Sequence, residues 1–345
     1  MQNVLQFNGC YGCSWCLHPG EFIEGAVLSL LCVRCKVVGC LNSALKTMFY
    51  SPGSVKYPVT VTAGDRDAAM RLSDMKMAAA LQRTVKGVKA PSPLINVPGF
   101  DDVGSFRPRF MHTVLLSVVC QMTDIWFSNV GKAQYIGSAG TLSEIDDRLL
   151  SQRPPFYYNR TPRSLKLRRY WKASELEAWL LYYSLPCLKG ILPAEFLQHF
   201  ALLVSSVYIL LEPWDSRGCR GQQPKKKKQI TQFGVMTQCD YGAGQMTSNV
   251  HTLLQFPKSV VLHEPLWAVS CFEFENYMGH LVNLVSSSNG IPFQILSRIL
   301  LLNNFHRLQS MASHEAKELL CVCQHLDLMV VSGHNSGSAA DWCIY

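Results

Sequence analysis

Cys13 and Cys16 have the spacing best suited to chemistry: two thiolates separated by two residues can reach one tetrahedral Zn²⁺ from a single tight turn. That pair supplies half a site. By spacing alone, Cys32 and Cys35 complete a Cys-x2-Cys-x15-Cys-x2-Cys pattern, the signature of a four-thiolate structural zinc. The competing reading makes Cys32, Cys35 and Cys40 small buried hydrophobes, and the apolar stretch Gly25 to Leu31 between the pairs suits a core helix. His18, two residues past the first pair, is a further candidate ligand. His112 lies in an apolar segment, where a lone histidine reads as a satisfied core residue. Glu175 falls in Ser174-Glu175-Leu176-Glu177, a capping-box pattern at the start of a helix, where a carboxylate complements the helix dipole.

A second constellation is cationic. Between Arg148 and Lys172 the chain carries eight basic residues and no acidic one, interleaved with Phe156, Tyr157, Tyr158, Tyr170 and Trp171. Such a run suits phosphate contact, with Arg160, Arg163, Lys166, Arg168, Arg169 and Lys172 as the candidate nucleic-acid-binding residues. The formal net charge of +8 favours polyanionic partners. Lys225 to Lys228 resembles a nuclear import signal, a pattern that many lysine loops match.

These residues need a scaffold, and composition supplies the material for one. At 345 residues, with 48% hydrophobic and 16% charged, the chain can bury a core and is expected to form about two domains. No stretch reads as a membrane span: the closest, Phe196 to Leu211, carries His199 and is closed by Glu212 and Pro213, as a buried helix would be. Met1 to Cys16 has neither a basic nor an apolar leader region, so no signal peptide is expected and the 14 cysteines are read as reduced. Apolar periodicity and caps predict helices at Ala68 to Arg83, Met111 to Phe127, Ser174 to about Pro186, Pro193 to before Pro213, Pro292 to Asn303 and His314 to Met329. Tyr57 to Thr62 reads as a β-type run, and Ser216 to Gln229 as an exposed loop. The expected divisions are a Cys/His region over 1–130, a basic segment with a helix pair over 131–213, a Lys-rich loop over 214–248, a helical region over 249–331 and a polar tail over 332–345.

Taken in order, several blocks resemble the catalytic region of CACTA-type (En/Spm-like) DNA transposases: Phe7-Asn8-Gly9 through Tyr11 to Glu21, Phe110-Met111-His112 through Leu116, Tyr170 to Glu175, Trp179 to Pro193, Asn249-Val250-His251, and Pro265-Leu266-Trp267 to Glu275. The resemblance implies an α/β fold: an incomplete RNase H-like core, predominantly helical, with a zinc-supporting insertion and a helical C-terminal region. It implies zinc on Cys13, Cys16 and His112, and Glu175 as the third catalytic acid. In the family two divalent cations, Mg²⁺ or Mn²⁺, held by three carboxylates drive strand cleavage and transfer. The first two catalytic aspartates of the family precede the Phe-Asn-Gly block, so a catalytically incomplete copy is expected. The implied function is that of a nuclear, transposase-derived DNA-binding protein, with homo-oligomerisation compatible and no membrane partner. The alternatives are a non-enzymatic DNA- or RNA-binding module and a relic without selected activity.

Overall fold

Apolar residues at helical spacing dominate the chain, and the fold is predominantly helical. The structure, a computed structural model, describes residues 3–5, 9–23, 53–154, 160–212, 219–263, 265–268, 270–314 and 316–317. Cys32, Cys35 and Cys40, the aromatics Phe156, Tyr157 and Tyr158, and most of the helix expected over His314 to Met329 lie outside them. The chain divides into two units, Met1–Cys271 and Phe272–Tyr345.

In the first unit, β1 (Glu21–Ile23) pairs antiparallel with β2 (Ser54–Lys56), and this two-stranded ribbon is the only sheet among the described residues. The β-type run expected over Tyr57 to Thr62 ends before it begins. The Tyr57 N–H donates instead to the Met246 carbonyl at 2.8 Å, and Pro58 has no N–H to give a partner strand. Helix α1 (Ala68–Leu81) starts where Asp67 caps it, accepting from the Met70 N–H.

The apolar segment beginning at Met111 is helical as expected. It opens as a wider π-type segment, Met111–Val119, and continues as α2 (Cys120–Ser128). After α3 (Ala139–Leu150) a 3₁₀ turn, Leu165–Tyr170, leads into α4 (Ala173–Ala178), the π turn Trp179–Tyr183 and α5 (Ser184–Leu188). Helix α6 (Ala194–Leu211) is apolar and long enough to cross a membrane by length and composition. It buries Phe196, His199, Phe200, Leu203, Val204, Val207 and Leu210, the pattern of a core helix. Its neighbour is α7 (Cys219–Tyr241), which runs through the segment expected to be an exposed loop. Lys and Gln are good helix formers, and the later turns bury Ile230 and Phe233, so tertiary packing sets the state of the segment.

The core forms where α2, α6 and α7 meet. Trp126 sits edge-on to Phe200, with ring centroids 4.9 Å apart, and its indole N–H donates to the Tyr241 hydroxyl at 3.1 Å. His199 stacks on Phe233 at 4.5 Å and its Nε2 hydrogen-bonds the Phe233 carbonyl at 3.0 Å; burial lowers its pKa, which keeps the ring neutral.

Helices α8 (Ser248–Leu253) and α9 (Phe256–His263) complete this unit, α8 against the π segment and α9 against α6 and α7. The first unit ends at Cys271. In the second unit, α10 (Phe272–Asn283) and α11 (Ile291–Met311) are joined by a turn that the Gln294 side chain holds through Ser286, Ser287 and Asn289.

Candidate metal centre

The cysteine loop is built from backbone closures. Tyr11 N–H donates to the Pro19 carbonyl, Leu17 N–H to Gly64, and Arg66 N–H to Trp15, so residues 11–19 fold back on themselves and pair with the 64–66 segment. Arg66 then threads beneath the loop with its side chain 1% exposed. Its Nε donates to the Cys16 carbonyl at 2.9 Å and its Nη2 to the Lys86 carbonyl at 2.7 Å and the Tyr11 carbonyl at 3.3 Å. Gly87 (φ +82°) meets the loop from the other side, where a Cβ would lie 2.5 Å from the Tyr11 carbonyl oxygen. Only glycine fits there without strain.

The other half of the centre arrives from far along the chain. Thr247 caps α8 by accepting from the Val250 N–H, Asn249 donates to the Ser117 hydroxyl at 2.6 Å, and Thr247 donates to Gln121 at 3.1 Å. These contacts pin α8 to the π segment and α2. The fourth residue of α8, His251, then places its Nε2 3.2 Å from the Cys16 sulfur, a contact spanning 235 positions of sequence. The Cys13 and Cys16 sulfurs and a His251 ring nitrogen all lie within 4.8 Å of one another. Around a tetrahedral zinc with bonds of about 2.1–2.3 Å, neighbouring ligand atoms sit roughly 3.5–3.8 Å apart. The three groups thus fit one ion with adjustments of about an ångström, and two thiols plus an imidazole are a donor set that zinc favours.

The surroundings fix the imidazole. Tyr57 stacks on His251 with centroids 5.1 Å apart and an interplanar angle of 27°, and its hydroxyl donates to the Gly9 carbonyl at 2.8 Å. His18 packs edge-on at 5.0 Å. Both His18 nitrogens are committed: Nδ1 accepts from the Gly20 N–H at 2.9 Å, so Nε2 carries the proton and donates to the Pro58 carbonyl at 2.9 Å. Burial lowers the His18 pKa, in keeping with this neutral form. His18 therefore supports the centre and is not a ligand.

The two thiols are shifted in opposite directions. A hydrogen bond from Cys16, opposed by burial and aided by His251, holds Cys13 well below the usual thiol range. The same hydrogen bond and burial push Cys16 up. A divalent cation bound here would be held by both sulfurs as thiolates, with release of their protons.

The residues singled out by sequence are thus partly brought together. Cys13 and Cys16 are joined by His251, and His112 is not in the group. His112 is half-buried at the start of the π segment, whose buried side consists of Met111, Thr113, Val114, Leu115, Val118 and Val119; the helix that carries the third ligand packs against this segment. His251 was visible only as part of the Asn249-Val250-His251 block, with nothing in its spacing to mark it as a ligand.

Glu175 is placed elsewhere. Its oxygens accept from Arg163 Nε at 2.5 Å and Nη2 at 2.7 Å, and one of them also takes the Lys172 backbone N–H at 2.6 Å. The helix starts two residues before the expected cap, with Lys172 as N-cap and Glu175 at the third helical position. A lysine cannot accept a hydrogen bond, so only the Glu175 half of the capping box forms. Burial opposes ionisation of Glu175, but the hydrogen bonds from Arg163 and Lys172 outweigh it and the carboxyl pKa lies below its ordinary value. A depressed folded pKa stabilises the fold above the unfolded value of about 4.3, and this contribution fades as pH falls through the lower folded value. Glu175→Gln should therefore cost about 1–2 kcal/mol at pH 7, with Arg163 partly solvent-screened, and the gap to the unsubstituted chain should narrow in acid. Urea denaturation at pH 7 and pH 3 checks this.

Of the basic residues, three are engaged within the fold. Arg148 donates to the Cys187 and Lys189 carbonyls, Arg163 holds Glu175, and Arg168 pairs with Asp124 at 3.2 Å while lying over the Phe127 ring. Arg153, Arg160, Lys166, Arg169 and Lys172 are exposed, the last four being among the six candidates for phosphate contact. In the 3₁₀ turn, residues three apart eclipse, so Lys166 and Arg169 share one face. No protein-family model matches the chain, and no curated protein matches it.

Proposed function

We propose that this chain is a transposase-derived nucleic-acid-binding protein of the nucleus, with an RNase H-like region whose Cys13–Cys16–His251 centre holds a structural zinc. The observation that carries this reading is the convergence of two of the resembling blocks, residues 11–21 and 249–251, on one three-ligand group. Zinc there would tie the cysteine loop to α8, shaping the scaffold that carries the basic turn. Arg160, Lys166, Arg169 and Lys172 are the cations left to meet phosphates. Glu175 serves this reading as a helix cap and ion-pair partner, so the activity is binding and not strand cleavage.

The test is fluorescence anisotropy with a duplex DNA across a salt series. The affinity should fall with a steep log–log slope, and replacing Arg160, Lys166, Arg169 and Lys172 by Gln should flatten it by about 3–4 units, at ~0.9 per phosphate contact. Arg168→Gln should leave the slope unchanged, because that guanidinium is paired with Asp124. An unchanged slope in the fourfold variant, or tighter binding to single-stranded RNA than to duplex DNA, would overturn the DNA-binding reading. So would Mg²⁺- or Mn²⁺-dependent nicking that Glu175→Ala abolishes.

A further inference from the structure

The 3₁₀ turn Leu165–Tyr170 repeats every three residues, so its six side chains fall on three faces. One face is the anchor: Leu165 is buried, and Arg168 pairs with Asp124 while lying over the Phe127 ring. The second face carries Lys166 and Arg169, both exposed and in no ion pair among the described residues. The third is apolar and equally open, with Leu167 45% and Tyr170 69% exposed. A single exposed apolar residue is ordinary. Here a whole apolar face lies beside a cationic one, on a turn whose remaining face is spent on the core.

The turn is held at both ends. Asp146, itself buried, accepts from the Ser164 hydroxyl at 2.5 Å and the Leu165 N–H at 2.6 Å, and the Ser164 hydroxyl oxygen accepts from the Lys166 N–H at 3.1 Å. At the other end Arg163, while gripping Glu175, donates to the Tyr170 carbonyl at 2.8 Å. An aromatic side chain on a fixed backbone loses little freedom when a ligand stacks on it, which favours binding. Three residues at a rise of about 2.0 Å set Lys166 and Arg169 roughly 6 Å apart along the turn, close to the step between neighbouring phosphates of one extended strand. Two apolar side chains are enough to meet one base and its sugar, but far less than the full apolar stripe that an interfacial helix buries in a lipid surface.

We propose that the two outer faces of this turn bind single-stranded DNA, with Tyr170 stacked on one unpaired base, Leu167 against its sugar, and Lys166 and Arg169 on adjacent phosphates. The inference rests on the DNA-binding reading above and deepens it by naming the form of DNA preferred. In a duplex both faces of a base are covered by its neighbours, so the Tyr170 ring has nothing to stack on. Phosphate contact alone favours the duplex, whose charge density is higher, so preference for the single strand is the signature of the aromatic face.

The test uses the full chain and fluorescence anisotropy at one salt concentration, with oligo-dT, an abasic single strand of the same length, duplex DNA and oligo-U as probes. Oligo-dT should bind about fivefold or more tightly than the abasic strand or the duplex, the low end of what one stacked base is worth. Tyr170→Ala should weaken oligo-dT by about five- to hundredfold and remove that preference. It should leave the duplex and abasic affinities, the salt slope and the melting temperature unchanged, because the ring is mostly in solvent. Tyr170→Trp should keep the preference. Salt-dependent duplex binding as tight as that of oligo-dT would overturn this inference and leave the DNA-binding reading standing, whereas no binding to any of the four probes would overturn both. Tighter binding to oligo-U than to oligo-dT, unchanged oligo-dT affinity in Tyr170→Ala, or a Tyr170→Ala defect confined to anionic lipid vesicles would each overturn the inference as well.

Discussion

Purified chain should carry one equivalent of zinc, and Cys16→Ser or His251→Ala should each remove it while His112→Ala keeps it. Structural zinc sites with four ligands contribute roughly 10–16 kcal/mol of apparent binding free energy, so one ligand is worth about 3–4 kcal/mol, or roughly 10²–10³ in affinity. Zinc binds the folded state, so chelation should also destabilise the first unit. If free zinc stands at about a thousand times its Kd, the loss is ~4 kcal/mol, or roughly 10 °C of melting temperature for a unit of this size. Metal analysis by mass spectrometry and calorimetry before and after chelation measure both. Zinc that survives His251→Ala but is lost in His112→Ala would remove the centre described here and restore the set that the family resemblance implies.

The second large effect is expected at Arg66, which touches no metal. Its guanidinium bridges the Cys16, Tyr11 and Lys86 carbonyls and lies 3.6 Å from the Asp74 carboxylate, which is itself 5% exposed. Arg66→Met keeps the apolar stem but strands the buried Cys16 carbonyl and the part-buried Tyr11 and Lys86 carbonyls, and leaves Asp74 with Lys86 at 3.9 Å as its remaining cation. Breaking a buried ion pair by removing one partner costs about 3–5 kcal/mol, so the melting temperature should fall by roughly 10 °C. The cysteine loop hangs on these bonds, so zinc affinity should fall as well, by about 10–100-fold, as for other supports of metal ligands. Arg66→Lys should recover only part of either loss, because an ammonium lacks the planar fork that reaches carbonyls on three segments. A cost under 1 kcal/mol for Arg66→Met, measured by denaturant unfolding, would show that the loop closes without it.

The metal centre shows where local pattern stops being informative. The Cys-x2-Cys pair is legible because both ligands come from one turn, whose geometry the sequence spacing fixes. The third ligand comes from a six-residue helix whose position depends on Thr247, Asn249 and Gln121, and no spacing rule connects position 16 to position 251. His112 was the better marked residue by resemblance, but the residues that place α8 against the π segment put His251 beside the sulfurs.

The basic segment shows the same limit of local pattern. Counting charges along the chain treats Arg148 to Lys172 as an uncompensated run, yet the compensating groups arrive from outside it. Asp124 comes from α2, Glu175 from the next helix, and the carbonyls of Cys187 and Lys189 from the end of α5. Four cations remain for a partner where the sequence pattern suggested six.

By itself the sequence determined the elements whose cause is local: α1 behind Asp67, the long apolar helix from Met111, α6 between its flanking prolines, and the thiol pair in its turn. Periodicity, caps and short spacing act within a few residues and survive any change of surroundings. Tertiary structure alone decided that the Lys- and Gln-rich segment is helical, because burial of Ile230 and Phe233 outweighs its polar composition. It alone decided which arginines are occupied and which histidine meets the sulfurs. Each of these depends on groups far apart in the chain being brought within a few ångströms, a consequence of packing that no local run of residues encodes.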